Sequence, residues 1–521
     1  MNIRLSMTVY CLLAIITYAT AQVSPKKYND NGSPLLIRGP YLQAATTNSM
    51  VIRWRTDNLT RARVHYGTSA AQLDKVVDDS TLTSEHIIHL TGLAPYTKYY
   101  YSVEDFRSVL QKGDSNYFRT LPEAGKDGFY RIGVFGDCGN NSVNQYNVKE
   151  QFIKYLGPNY MDAWILLGDN AYNTGSDAEF QAKFFDVYKD DLLRKYPLYP
   201  TPGNHDYNDK DITDETAQDN HQIAYYQNFS MPADGEAGGV ASHHQSFYSF
   251  DIGNIHFLSL DSYGKEENQY RLYDTLGPQV QWVKKDLEAN KNKGWVVAYW
   301  HHPPYTMGSH SSDAVDELVS IRENFIRILE RYGVDLILCG HSHDYERTRL
   351  IKGHYGMEAT FSAAQHNLSN SSGLYDGSAN SCPYIKDSAN QGTVYVVSGS
   401  AGQLGGKQKS FPHDAMYYSN ADIGGADMIE VQGNRLDFKW ICSDGVVRDH
   451  FTMMKDVNKH EVIKAKKGEA ITLTASFTGN YQWSDGETAK SITITPKKKI
   501  TVYTVADKES CVKDIFTVEV K

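Results

Sequence analysis

Seven side chains of metal-ligand type stand at the ends of five apolar runs. They are Asp137 in RIGVFGDCGN, Asp169 and Tyr172 in WILLGDNAY, Asn204 in LYPTPGNHDY, His301 in WVVAYWHHPPY, and His341 and His343 in LILCGHSHDYER. Carboxylate, imidazole, amide oxygen and phenolate are ligands for borderline-to-hard metals, and no thiolate is among them. Seven donors exceed what a single ion takes. With Asp169 as a bridge, two ions each receive four protein ligands and keep positions open for water and substrate, the arrangement of two-metal hydrolysis. Ligands of open α/β sheets bind beyond the carboxyl ends of the strands, so five such endings are expected to meet in one crevice. Singly, each motif is weak: Gly-Asp after a strand is often a turn or cap, and a His-Pro pair is often packing. It is the ordered set that points to a site.

That order, GD…GD…GNHD…H…GHxH, resembles the calcineurin-like metallophosphoesterases. Most of that superfamily carry a histidine two residues after the first aspartate, where this chain has Gly139. Tyr172 stands in the G-D-x-x-Y form that distinguishes purple acid phosphatases and is expected to supply the missing ligand, since a phenolate is a hard, charged donor suited to Fe(III). RGPYLQ at residues 38–43 and GHSHDYERT at residues 340–348 are also similar to the larger purple acid phosphatases. The resemblance implies Asp137, Asp169, Tyr172 and His343 on a ferric ion, and Asp169, Asn204, His301 and His341 on a divalent partner (Zn, Fe or Mn). It further implies that His205 and His310 contact the phosphate and the leaving group. His205 is the expected proton donor to the leaving oxygen, with Asp206 beside it raising its basicity and His310 assisting. The implied reaction is hydrolysis of small phosphomonoesters by a metal-bound hydroxide, because coordination lowers the pKa of water from about 15.7 to about 7 or below. A phosphodiesterase or nucleotidase would use the same metals. A binding or adhesion protein built around a decayed hydrolase is the alternative from another class, and seven filled ligand positions argue against it.

The elements that must position these residues are legible as periodicities. From about Tyr130 to about Lys455, strand-like apolar runs alternate with helical patterns. Phe180, Phe184, Val187 and Tyr188 share one face of an expected helix. Leu318, Ile321, Phe325, Ile328 and Tyr332 share one face of another, which Gly333 ends. Such alternation predicts a layered α/β domain over 128–455, two sheets flanked by helices. The polar stretches 208–222 and 355–391 are long enough to be site walls, lids or disordered segments. His243, His244, His366 and His413 lie in loop-like surroundings and read as exposed, solvated histidines.

Both flanks are β-rich, so the expected architecture is multidomain. In segment 36–120, Met50, Ile52 and Trp54 alternate with Val51, Arg53 and Arg55, the signature of a half-buried strand, and Leu93 to Tyr99 resembles a fibronectin type III tyrosine corner. A supporting N-terminal sandwich is expected there. Residues 458–521 return to period 2, with Phe516, Val518 and Val520 opposite Thr517, Glu519 and Lys521, and suggest a small immunoglobulin-like β module without a catalytic role.

The 521 residues carry a formal net charge of −10, so no electrostatic footprint for nucleic acid or anionic membrane is present and an anionic substrate must be drawn by local charge. Arg4, the apolar Leu12 to Ile16 and Ala19-Thr20-Ala21 before Gln22 form the pattern of a secretory signal over residues 1–21, predicting a secreted or periplasmic protein. No later run approaches the roughly 20 apolar residues of a transmembrane helix. Cys138 and Cys339 end apolar runs and read as buried. Cys382 and Cys442, in polar and turn-rich surroundings, could pair in an oxidising compartment, and the odd total of five after the signal segment leaves at least one thiol free.

Overall fold

A computed structural model describes residues 33–387 and 391–521. The expected signal segment, residues 1–21, lies outside the described residues. Two sheets form the centre of the molecule. In the first, Phe129–Phe135, Ala163–Leu167 and Pro197–Thr201 run parallel, and the antiparallel strands Gly425–Gln432, Arg435–Cys442 and Val447–Lys455 extend one side. The second has seven strands, with Ile255–Ser259, Trp295–Trp300, Leu336–Cys339 and Val394–Ser398 in parallel.

Every residue of Ala163–Leu167, Pro197–Thr201, Trp295–Trp300 and Leu336–Cys339 is buried. Continuous apolar runs of this kind belong to strands covered on both faces. The alternation of side chains shows by what. Val297, Tyr299, Leu336 and Leu338 share a core with Ile165, Leu167 and Tyr199 of the first sheet. Val296, Ala298, Trp300 and Ile337 point the other way, into a second core with Val280, Val283 and Leu287 of helix Pro278–Ala289 and with Ile321, Phe325 and Leu329. The two sheets therefore face each other, and helices cover the outside of the second.

The run from Asp177 to Tyr188 buries Phe180, Phe184, Val187 and Tyr188 as their spacing predicts, but it passes through wider π-type turns over Phe180–Phe185. The run from Asp316 to Tyr332 does the same over Ile321–Phe325, and Gly333, at φ +76°, ends it.

At the N-terminal side, strand Leu36–Gln43 pairs antiparallel with Met50–Gly67 and parallel with Pro197–Thr201, so the N-terminal strands continue the first sheet. This changes the expectation for Met50–Gly67. Val51 and Arg53, assigned to a solvent face, are 4% and 3% exposed. That face is covered by residues 227–230, where Arg53 donates to the Gln227 carbonyl and to Ser230 Oγ. The backbone N–H of Ala94 donates to the Tyr99 hydroxyl at 2.9 Å, as in a tyrosine corner.

The C-terminal residues form a four-stranded sheet and a two-stranded sheet around their own core of Leu473, Phe477, Trp483, Val505, Phe516 and Val518. Cys382 bonds to Cys511 of this unit, not to Cys442, which is a buried free thiol at the end of strand Arg435–Cys442. The polar stretch after Tyr355 turns onto the unit, and Tyr375 donates to Asp507 at 2.8 Å. His413 is also corrected: it is fully buried against the Tyr305 ring. No helix among the described residues is long and apolar enough to cross a membrane.

Candidate metal centre

The polar strand ends meet as one cluster, and the backbone is bent to bring them there. Asp137, Asp169 and His341 adopt left-handed conformations, at φ +56°, +51° and +67° respectively. Such conformations are uncommon for residues with a side chain and persist only where surrounding contacts hold them. Close approach also demands small residues. A Cβ on Gly203 would collide with the Asp169 carboxylate. At Gly139, where the wider superfamily has a histidine, a Cβ would overlap the Asn170 carbonyl. The chain therefore has no room for that imidazole.

Two groups of donors result. In one, the Tyr172 hydroxyl donates to Asp137 Oδ1 at 2.9 Å and lies 3.0 Å from His343 Nε2, which is 3.5 Å from the same Asp137 oxygen. In the other, His301 Nε2 is 3.1 Å from Asn204 Oδ1 and 3.3 Å from Asp169 Oδ2, and His341 Nδ1 is 3.1 Å from Asn204 Oδ1. Oxygens of Asp137 and Asp169 and a His301 nitrogen all lie within 4.8 Å of one another, which joins the two groups.

The arrangement fits a cation. His301 Nδ1 is 2.8 Å from the Leu167 carbonyl, which only accepts, so Nδ1 carries the hydrogen. In the neutral ring, Nε2 then points a lone pair at two oxygens that also offer lone pairs. His341 Nε2 is buried without a partner among the described residues. A positive ion satisfies such a set. Burial opposes charge on His301, yet Asp169 and Asp137 hold its pKa at about 9, a measure of the local negative potential. Burial and the Asp137 carboxylate raise the Tyr172 phenol well above its ordinary value, so a phenolate at this position needs a cation beside it.

His205 and His310 flank the cluster. The His205 ring lies 4.6 Å from that of Tyr172, and its backbone N–H donates to Asp169 Oδ1 at 2.8 Å. The His310 ring stacks on His341 at 3.9 Å. Asp206 does not take the place expected for it. Its buried carboxylate accepts from the backbone N–H groups of Asn170 and Gly203 and from the Asn170 amide, while His205 Nδ1 meets the Asn173 carbonyl at 2.6 Å. Burial, with Asp169 nearby, pushes Asp206 up to about 8. The residue shapes the turn that presents Asn204 and does not tune His205.

Other contributors escaped the sequence patterns. His302 packs its ring 4.4 Å from His341 and its Nδ1 2.8 Å from Ser262 Oγ. The doubled histidine in HHPP was a signal, but adjacent residues on a strand normally face opposite ways. Glu179 accepts from the backbone of Asn173 and Thr174, and Lys183 donates to the Tyr172 carbonyl, so one helix clamps the loop bearing Tyr172. The buried Glu346 accepts from Thr306 and Met307 and holds the segment that carries His310.

Known proteins place this geometry. The family described as calcineurin-like phosphoesterase matches residues 130–345, and the purple acid phosphatase N-terminal domain matches residues 39–120. Residues 130–345 therefore resemble the calcineurin-like phosphoesterases. The N-terminal domain and the relatives that carry the name make the purple acid phosphatases the group to which the chain is similar. Purple acid phosphatase 15 of Arabidopsis thaliana is 30% identical over 292 residues, 51% of this chain and 50% of the relative. Human acid phosphatase type 7 is 26% identical over 388 residues, 68% of this chain and 75% of the relative. The chain thus spans about half the length of the first plant relatives it matches. A solved purple acid phosphatase from yellow lupin seeds shares the fold at a TM-score of 0.60 and 18% identity, over 80% of this chain and 74% of that one.

Proposed function

We propose that the protein is an exported acid phosphatase that hydrolyses small phosphomonoesters at a pair of metal ions, Fe(III) and a divalent Zn, Fe or Mn. Asp137, Asp169, Tyr172 and His343 would hold the ferric ion, and Asp169, Asn204, His301 and His341 the divalent one. The observation that carries this is the meeting of the Tyr172 hydroxyl with Asp137 and His343, at 2.9 and 3.0 Å, beside the lone-pair cluster of His301, Asn204 and Asp169. Bound there, the ions would neutralise phosphate charge and make a water acidic enough to act as nucleophile near or below neutral pH.

The chain's own groups supply the rest. His205, partly exposed beside Asp169, gives a proton to the departing oxygen. His310, held over His341, donates a hydrogen bond to the phosphate. The Cys382–Cys511 disulfide supports an oxidising compartment, and hence export with removal of residues 1–21. The N-terminal strands read as a fibronectin type III-like sandwich over 36–120, and the C-terminal ones as an immunoglobulin-like module over 458–521, on either side of a catalytic domain at 128–455.

Metal analysis and a visible spectrum of the purified protein test the ferric assignment. Iron with a tyrosinate charge-transfer band, both lost in Tyr172→Phe, is expected, and an active, colourless, iron-free protein would overturn it. A side-by-side assay of aryl mono- and diesters tests the substrate class, and faster turnover of the diester would sink the monoester proposal.

A further inference from the structure

The two histidines that flank the metal cluster make different second contacts, and those contacts decide which ring nitrogen carries hydrogen. His205 Nδ1 lies 2.6 Å from the Asn173 carbonyl oxygen. A carbonyl only accepts, so Nδ1 carries the hydrogen and the lone pair of the neutral ring is on Nε2. That nitrogen faces the site, 3.9 Å from Asp169 Oδ2. The carbonyl is itself pinned. The N–H of the same peptide unit, that of Thr174, donates to Glu179 Oε2 at 2.8 Å, so the unit is held at both ends.

His310 is the opposite case. Its Nδ1 lies 3.1 Å from Ser309 Oγ. Ser309 Oγ already accepts the backbone N–H of His343 at 3.0 Å. Its own hydrogen has one acceptor among the described residues, His310 Nδ1, and only if that nitrogen is unprotonated. When the hydroxyl gives that hydrogen to Nδ1, the hydrogen of the neutral His310 ring falls on Nε2. Nε2 makes no contact of its own among the described residues.

We propose that Asn173 and Ser309 lock His205 and His310 in opposite tautomers, so that His205 shows the substrate a nitrogen that takes up and returns a proton, while His310 shows it a fixed N–H donor. The proposal rests on the placement of both rings beside the phosphate argued under the proposed function. As the ester bond breaks, the Nε2–H bond of protonated His205 breaks and an O–H bond forms on the leaving oxygen. The ring returns to its Nδ1–H form and regains a proton from solvent. His310 keeps its hydrogen throughout. Ser309 is on this account a positioning residue that acts through His310.

Long-range 15N–1H spectra of the histidine-labelled, zinc-loaded full chain report the tautomers, with His205→Gln and His310→Gln assigning the signals. The expected result is hydrogen on Nδ1 of His205 and on Nε2 of His310, with Ser309→Ala turning His310 into a tautomer mixture, Ser309→Thr restoring it, and His205 unchanged by either. Hydrogen on the same nitrogen in both rings, or an unchanged His310 in Ser309→Ala, overturns the proposal. Kinetics give an independent arm. Ser309→Ala is expected to lower turnover of aryl and alkyl phosphates alike by about 10-fold, with recovery in Ser309→Thr. Tautomers as stated with turnover unmoved would leave the lock standing and sink the role given to His310 in phosphate hydrolysis.

Discussion

The molecule carries a β-rich unit at each end, and the two are attached in different ways. The N-terminal strands share hydrogen bonds and one continuous core with the central sheets. Arg38 is buried there, donating to Gln181, Asn228 and Asp177 with its guanidinium 4.0 Å over the Phe185 ring, and Arg55 joins it on Asp177. Asp177 begins the helical run whose Glu179 and Lys183 clamp the Tyr172 loop, so this unit braces the site. The C-terminal unit closes on a separate core, into which Met454 of strand Val447–Lys455 also reaches, and is fastened through Cys382–Cys511 and side chains such as Tyr375. A strand shared with the sheet makes one unit part of the central body, and a largely separate core leaves the other an attachment.

The largest effect expected from breaking this contrast is at Arg38. Arg38→Ala leaves a cavity against Phe185 and the buried Asn228 oxygen without its donor, and should cost about 3–5 kcal/mol in denaturant titration, with iron content falling as the Tyr172 loop loosens. Cys511→Ser should cost about 2–4 kcal/mol, but in the C-terminal unit alone. Hydrogen exchange should show protection lost after residue 458 and kept in the central sheets, and uniform loss would contradict the contrast.

Acid should separate the units less strongly. His86 lies buried with Nε2 3.0 Å from the Thr56 hydroxyl, and burial lowers its pKa to about 4. The unfolded chain then binds the extra proton between about pH 6.5 and 4, so this contribution to stability is complete above pH 6.5 and is lost as the pH falls through that window. His86→Gln should flatten the slope there, in the N-terminal unit. The smallest effect is expected from ending the chain after residue 457, which should leave phosphatase turnover within about twofold, as a distant change does. A greater loss would mean that the C-terminal unit reaches the site.

How much of this was legible follows from what each feature depends on. The parallel strands announced themselves because both faces are buried, leaving unbroken apolar runs such as WILL and LILC that stop where the polar site begins. The seven candidate ligands were visible for the same reason. Arg53 was misplaced because alternation records which face is apolar, and its polar face turned out to be covered by another segment whose carbonyl and hydroxyl satisfy the guanidinium. Cys511 was missed as the partner of Cys382 because spacing does not reveal which loop reaches a separate unit. Asp206 was credited with its neighbour's chemistry, although its carboxylate turns inward to the backbone of Asn170 and Gly203. His302 and His413 needed the fold itself, since nothing local distinguishes a buried histidine in a turn from a solvated one.

Leu42 and Gln43 find their parallel partners at Pro197 and Leu198, about 155 residues further on. Until that stretch has been synthesised, the growing chain presents an unclaimed rim of amide and carbonyl groups, a template to which any stray strand can add. An excised N-terminal fragment would keep that rim for good. Produced alone, it should self-associate unless the segment through Thr201 is supplied with it.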